Sequence, residues 1–463
     1  MTTPLQTTAA QQLLSAQRAY FQTGATLPYG KRRAALDSLY RGILRHKARL
    51  LDALAADLGK SETEAYMCEV GLALSDISYC RRHLRRWMRP QRRSTPLANF
   101  PARSRVVNAP YGVALVIAPW NYPLLLALSP LVGALAAGNC CIIKPSELSP
   151  ATAEAVTELI RETFPPELVT VANGAAEQCQ ALLSLNFDYI FYTGGAAVGR
   201  IVMEKSAKHL TPVTLELGGK SPAVVTQSAN LRLAARRILF GKFLNAGQTC
   251  VAPDYILCEK SVHQPLVQLL LEELEQLYGR NPIESPDYGR IVNRRHFDRL
   301  CGLIDPDKTI AGGTFLPDQL RIAPTIMDHV GPTDPIMQDE IFGPILPILT
   351  VNSAEEAFHF IQVRPHPLAL YLFTENDSEK ERFMTGLQFG GGCINDTISH
   401  LAAHNLPFGG VGASGMGAYH GKDSFLTFSH PKSIVERRTW LDIPLRYPPY
   451  IGWKKEMIEK YLR

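Results

Sequence analysis

The chain has 463 residues, too many for one simple core, so its length points to two or three domains. Hydrophobic residues make up 46% and charged residues 20%, the balance of an ordinary soluble globular protein rather than a disordered one. A net charge of +5 is small for this size and gives no reason to expect nucleic acid as a partner.

The nine cysteines are odd in number and contain no C-x-x-C pair, which argues against a disulfide framework or a zinc site. The expectation is free thiols in a reducing, cytoplasmic compartment and no metal centre. Met1–Ala10 shows no basic region followed by an apolar core, so no secretory signal is expected.

In chain order, Leu13 to Leu58 reads as helical, with apolar positions recurring at three and four residues. The basic run Arg81 to Arg89, followed by Pro90 and Pro96, reads as a helix end leading into an extended connector; its charges suit a solvated face or a subunit contact better than an anion site. Val106 to Ile143 carries no charge at all, long enough to suggest a membrane span. Pro110, Pro119, Pro123 and Pro130 break that reading. It divides instead into a buried strand (Val113–Ala118), a turn (Pro119–Pro123), a buried helix (Leu124–Ala137) closed by Gly138, and a second strand (Cys140–Lys144). Apolar strands flanking an apolar helix mark a parallel sheet covered on both faces.

The alternation continues through Ala151–Thr163, Leu168–Ala172, Ala176–Ser184, Tyr189–Thr193, Gly199–Lys208 and Pro212–Leu217, the rhythm of a doubly wound α/β domain. A second α/β region runs from about Lys220 to Gly392. Its strands are Ala223–Thr226, Asp254–Cys258, Leu346–Thr350 and Leu368–Phe373, and its long amphipathic helix lies near Val262–Tyr278. From about Lys422 short strand-like pieces are expected. The tail, Tyr447 to Arg463, has no stretch long enough to cross a bilayer; a surface-lying amphipathic helix is the weaker alternative.

Several residues stand where chemistry could be done. Gly410-Val411-Gly412-Ala413-Ser414-Gly415 spells the dinucleotide fingerprint but follows no buried strand and opens no clear helix, so it reads as a structural or pocket-lining loop. Tyr192 to Arg200 follows an apolar strand and leads into a helix. There Gly194 and Gly199 would admit a pyrophosphate to backbone amides, though a tight strand–helix turn also needs glycine. Lys144 and Glu147 lie at the end of a strand, where open parallel sheets bind ligands; a surface lysine is the plainer reading. Asn121, in a turn between two prolines, can donate to an oxyanion, though a lone Asn also serves turns. Glu216 ends an apolar strand before two glycines, a desolvated place that suits a general base. Glu340 is a second candidate. Cys250 alone would read as a structural thiol, but Gly247 and Gln248 allow it to be presented at a loop or helix start, where thiolate is favoured.

Taken together, five runs resemble the aldehyde dehydrogenase superfamily, in that family's order and spacing: Pro119-Trp120-Asn121-Tyr122-Pro123, Lys144-Pro145-Ser146-Glu147, Glu216 to Pro222, Gly247-Gln248-Thr249-Cys250 and Glu340-Ile341-Phe342-Gly343-Pro344. Leu406 to Gly417, Tyr419 to Lys422 and Arg446 to Tyr450 are similar to the class 3 branch, with its fatty-aldehyde and aromatic-aldehyde enzymes. The resemblance implies a cofactor domain (1–90 and 107–216), a catalytic domain (217–420), bridging strands used for dimers (91–106 and 421–445) and a tail (446–463). It implies that Cys250 attacks the aldehyde, that Asn121 and the Cys250 N–H stabilise the oxyanion, and that Glu216 activates water, with Glu340 as a rival base. NAD or NADP would be held by Lys144 at the adenosine ribose and Glu340 at the nicotinamide ribose, with Trp120 and Phe342 near the ring. Glu147 matches a position that disfavours the 2′-phosphate in some relatives, yet the class 3 branch often accepts both cofactors. By position, Tyr122, Phe240, Leu244, Leu401 and Phe408 would line an apolar pocket for medium-to-long, isoprenoid-type or aromatic aldehydes. Two alternatives are an acylating enzyme that passes the thioester to coenzyme A or phosphate, and a non-catalytic binding protein. Glu216 speaks against the first, and the intact trio of Cys250, Asn121 and Glu216 against the second.

Overall fold

The computed structural model describes residues 7–461. Met1–Gln6, part of the stretch read for a secretory signal, and Leu462 and Arg463 at the end of the tail lie outside the described residues.

The expected helical stretch at the start is three helices, Thr7–Gln22, Tyr29–Arg45 and Lys47–Leu58. Pro28 is extended before the second, and His46 leaves helical geometry between the second and third. Breaks this short leave the apolar periodicity nearly intact, which is why the sequence reads as continuous. The basic run ends the helix Gly71–Trp87, and the strand Gln91–Arg93 follows.

Five parallel strands build the first sheet in the spatial order Val213–Glu216, Tyr189–Thr193, Val113–Ile117, Cys140–Lys144, Val169–Val171, with Gly415–Met416 antiparallel at the Val213 edge. The chain starts at Val113–Ile117, builds outward on one side and returns to build on the other. The crevice at such a switch point, at the carboxyl ends of the strands, is where open α/β sheets take ligands. Every residue of Val113–Ile117, Cys140–Lys144 and Tyr189–Thr193 is buried, as two-face coverage requires. The charge-free stretch is indeed strand, turn, helix and strand: the helix Leu125–Ala137 is buried almost all round and stops at the left-handed Gly138. Among the described residues no helix is long and apolar enough to cross a membrane.

The second sheet has the order Thr309–Ala311, Thr325–Met327, Ile345–Val351, Tyr255–Glu259, Pro222–Val225, Ala369–Phe373, Gly391–Ile394, parallel except at the first edge. Only five residues separate Glu216, ending a strand of the first sheet, from Pro222, opening one of the second. The ends of one sheet therefore face the beginnings of the other. A third sheet joins Gln91–Arg93, Ala102–Pro110 and Ser429–Arg437, all antiparallel.

The chain after Lys422 differs from the expected short strand pieces. It forms the helix Gly421–Thr427, one nine-residue strand, and the terminal helix Trp453–Tyr461. The seven-residue helix is too short to be stable alone; it docks on the buried helix Leu125–Ala137, with Ser424 lying against Gly133, a contact no local pattern announces.

Candidate active site

The thiol is presented by a strained turn. After the helix Leu231–Phe243, Asn245, Ala246 and Gly247 all take left-handed conformations (φ 55°, 51° and 73°). Non-glycine residues there cost about 1 kcal/mol or more each, so neighbours must hold the turn. They do. The Asn245 N–H donates to Glu64 Oε1 at 2.8 Å, and Asn245 Nδ2 donates to the Asn121 carbonyl at 2.8 Å and the Gln248 carbonyl at 3.1 Å. Gln248 Nε2 donates to the Asn245 and Arg290 carbonyls, each at 3.0 Å. A Cβ at Gly247 would stand 2.2 Å from the Gly343 carbonyl oxygen, so only glycine fits. Cys250 emerges from this turn just before the strand Tyr255–Glu259.

Two cavities meet at Cys250. One, of about 350 Å³, opens at the switch point and is lined by Trp120, Gly194, Glu216, Glu340 and Phe342, together with Cys250. The other, of about 310 Å³, is largely apolar; Tyr122, Phe240, Leu244, Leu401 and Phe408 line it, again with Cys250. All five residues expected around an apolar substrate are therefore gathered on one wall system. Asp76 and His404, paired at 2.8 Å, and Ser129 add a polar seam to that cavity that the sequence reading missed.

Asn121 is buried, and its Nδ2 donates to the Gln248 carbonyl at 3.0 Å, which ties the amide to the thiol loop. Tyr122 Oη and Thr249 Oγ1 share a hydrogen bond of 2.7 Å across the same junction. Glu216 is buried, and neither carboxyl oxygen has a hydrogen-bond partner among the described residues. Burial alone lifts its pKa well above the usual carboxylate range. Glu340 is lifted to about 8, by burial first and then by the charge of Asp254; the Gly219 N–H, Lys220 and Lys242 pull the other way. Its carboxylate lies over Gly218, where a Cβ would sit 2.0 Å from Oε2. Burial, then Glu340 and Glu216, push the Cys250 thiol up to about 12. Burial thus favours the protonated form of all three groups.

The Glu340 loop is clamped from below. Lys220 Nζ pairs with Asp254 Oδ2 at 2.5 Å and donates to the Asp339 carbonyl at 2.9 Å, while the Ile341 N–H donates to Asp254 Oδ1 at 3.0 Å. Phe342 is held left-handed (φ 51°), its ring edge-on to Trp120 at 5.3 Å. His296 lies 5.2 Å from Trp120 and, with Arg299, lines the same cavity. Burial lowers the His296 pKa to about 4, so it is neutral at pH 7.

Not every expected residue reaches this cavity. The helix expected from Gly199 begins at Ala196, which places Gly199 in its second turn, where a Cβ would strike Leu217 at 2.8 Å. Gly199 allows helix and strand to pack, and Gly194, not Gly199, borders the cavity. Lys144 and Glu147 also lie outside the cavity lining; they pair with each other at 2.6 Å, the lysine buried at the carboxyl end of its strand. The glycine-rich Gly410–Gly415 loop leads into the short strand that backs Glu216. All nine cysteines are free thiols. One group of metal-capable side chains comes together among the described residues, His263, Asp328 and His329, and it borders neither cavity.

Residues 3–434 match the profile described as "Aldehyde dehydrogenase family". The chain is 49% identical over 437 residues to a 4,4′-diaponeurosporen-aldehyde dehydrogenase of Staphylococcus aureus, covering 94% of this chain and 95% of that one. It is 47% identical over 455 residues to a family 3 aldehyde dehydrogenase of Arabidopsis thaliana, covering 97% and 94%. A solved structure of Staphylococcus aureus AldH in a substrate-bound state superposes with a TM-score of 0.96 at 47% identity, covering 98% and 99%. An indole-3-acetaldehyde dehydrogenase of P. syringae in complex with NAD+ superposes at 0.86 with 26% identity, covering 94% and 90%. The chain belongs to the aldehyde dehydrogenase family, in its class 3 branch, and is an enzyme that oxidises aldehydes.

Proposed function

We propose that the protein oxidises apolar aldehydes to carboxylic acids with NAD or NADP, through a thioester on Cys250. One observation carries this reading: Cys250 lines both a cavity at the sheet's switch point and an apolar cavity, so one thiol faces both. Cys250 gives its thiol proton to water, and Sγ attacks the aldehyde carbon, whose C=O π bond opens to the thiohemiacetal oxyanion. The Asn121 amide and the Cys250 N–H donate to the oxyanion. When bound, NAD or NADP would supply the hydride acceptor. Loss of hydride leaves the thioester, and water that gives its proton to Glu216 releases the acid and the free thiol. Glu340 and Phe342 would hold the nicotinamide end, Gly194 and the helix start at Ala196 the pyrophosphate, and Lys144 the adenosine ribose. The test is reduction of NAD and NADP in parallel across an aldehyde panel.

Two expected outcomes refine it. Lys144→Ala raises the cofactor KM by about 10- to 100-fold, the worth of a hydrogen bond from a charged group, while kcat stays within a few-fold. Equal KM values in the variant and the parent would remove Lys144 from the cofactor site. Among linear aldehydes, kcat/KM climbs by up to about fourfold per methylene, because each buried CH₂ contributes about 0.8 kcal/mol, and levels off once the apolar cavity is full. Short polar aldehydes turning over best would contradict the apolar assignment.

The antiparallel sheet of Gln91–Arg93, Ala102–Pro110 and Ser429–Arg437 carries the exposed Val435, with Phe100 and Trp440 beside it, which supports a role in joining two copies. Sedimentation at the mass of one 51.2 kDa chain would contradict that role.

A further inference from the structure

Beneath the Asn121 turn lies a charged pair that no motif announces. Lys60 Nζ and Glu69 Oε1 are 2.5 Å apart, and neither side chain has any exposure. Lys60 follows the left-handed Gly59 that ends the helix Lys47–Leu58. Glu69 belongs to a single π turn, Tyr66–Val70, a form that is frequent at functional sites.

Both partners aim their remaining hydrogen bonds at one segment. Lys60 Nζ donates to the Asn121 main-chain carbonyl at 3.2 Å and stands 4.2 Å from the centre of the Tyr122 ring. Glu69 Oε2 accepts the Leu124 and Leu125 N–H groups at 2.9 and 3.2 Å, at the start of the helix Leu125–Ala137. Residues 121–125 are thus gripped at both ends. The Asn121 carbonyl oxygen also accepts from Asn245 Nδ2, so a single atom joins the charged pair, the amide turn and the thiol loop. Glu64, one helical turn away, holds that loop through the Asn245 N–H.

Stability is a weak reason for such a pair, since buried ion pairs are often replaced by apolar residues at no cost. Orientation is a better one. An oxyanion donor must be held to within a fraction of an ångström, and a turn between two prolines has few backbone bonds of its own to hold it.

We propose that Lys60 and Glu69 are positioning residues for aldehyde oxidation, holding the Asn121 turn so that its side-chain amide meets the oxyanion formed at Cys250. The proposal rests on the reading of Asn121 as that donor. It is tested with the double variant Lys60→Met/Glu69→Gln, which removes both charges yet leaves a carboxamide oxygen for the Leu124 and Leu125 N–H groups. It is compared with Asn121→Ala and with the triple variant. The double variant is expected to lose about 10- to 100-fold in kcat, the scale of a small misplacement of a catalytic group, with cofactor KM changed less than about threefold. The triple variant is expected to be no worse than Asn121→Ala alone. Unchanged kcat, a cofactor KM that moves as much as kcat, or losses that multiply in the triple variant would each overturn it. Where the double variant does not fold, Lys60→Arg keeps the charge but shifts the donor, and its loss must likewise vanish in the Asn121→Ala background. Full activity of Asn121→Ala would instead sink the reading of Asn121 itself, whereas an inactive Asn121→Ala beside a fully active double variant would overturn only the role of the pair.

Discussion

Cys250→Ala is expected to abolish aldehyde-dependent reduction of NAD and NADP, by at least about 10⁴-fold in kcat, because the covalent route vanishes with the nucleophile. The fold should survive. Cys250 is only partly buried at a cavity junction, and its turn is held by Asn245, Gln248 and Glu64 rather than by the sulfur. Trimming one sulfur atom from a cavity wall costs little, about 1 kcal/mol or less, since no packed core is emptied. The check pairs the rate of NADH formation with a thermal melt. A folded variant that keeps more than about 1% of the parent rate would show that the thiol is not the nucleophile.

Glu216→Gln is expected to stall the reaction after hydride transfer. One equivalent of NADH should appear in a burst, then turnover should fall by about 10²- to 10⁴-fold, the usual contribution of a positioned base. Mass spectrometry of the quenched variant should find the acyl group on the peptide carrying Cys250. Glutamine is a close match for the protonated acid that burial favours here, so little stability should be lost. The pH dependence follows from the same shift. An acid whose pKa is raised in the fold keeps its proton to higher pH than a free carboxylate, and the ionised base becomes more abundant as pH rises. Deacylation should therefore speed up as pH rises above the usual carboxylate range, and that limb should disappear in Glu216→Gln. Glu340, held at about 8, offers the rival source of such a limb. If the limb survives in Glu216→Gln and is lost in Glu340→Gln, Glu340 is the base. Rapid transfer of the acyl group to coenzyme A or phosphate, with no dependence on Glu216, would favour the acylating alternative.

Much of the fold was readable residue by residue. The charge-free stretch from Val106 to Ile143 could be resolved because prolines and Gly138 punctuate it, and because two-sided burial makes strands uniformly apolar. Lys422 onward was not readable: a helix made by docking against Gly133, and a strand made by pairing with Ala102–Pro110, depend on partners about 290 or more residues away in the chain. Gly199 shows the same limit on a small scale. Its spacing after a strand fits a phosphate loop and a packing contact equally well, and only the position of Leu217 separates them.

By itself the sequence determined the two apolar-stranded sheets and marked Cys250, Asn121 and Glu216 as candidate reacting groups. Strand burial and turn chemistry are written in local composition, and the reacting groups lie in short runs of distinctive residues. Only the tertiary structure decided that Cys250 stands at the meeting of two cavities, that Glu216 is desolvated with no hydrogen-bond partner among the described residues, and that Lys60 and Glu69 lie under the Asn121 turn. Burial, and the field one side chain exerts on another, come from residues scattered along the chain, so no window of sequence contains them.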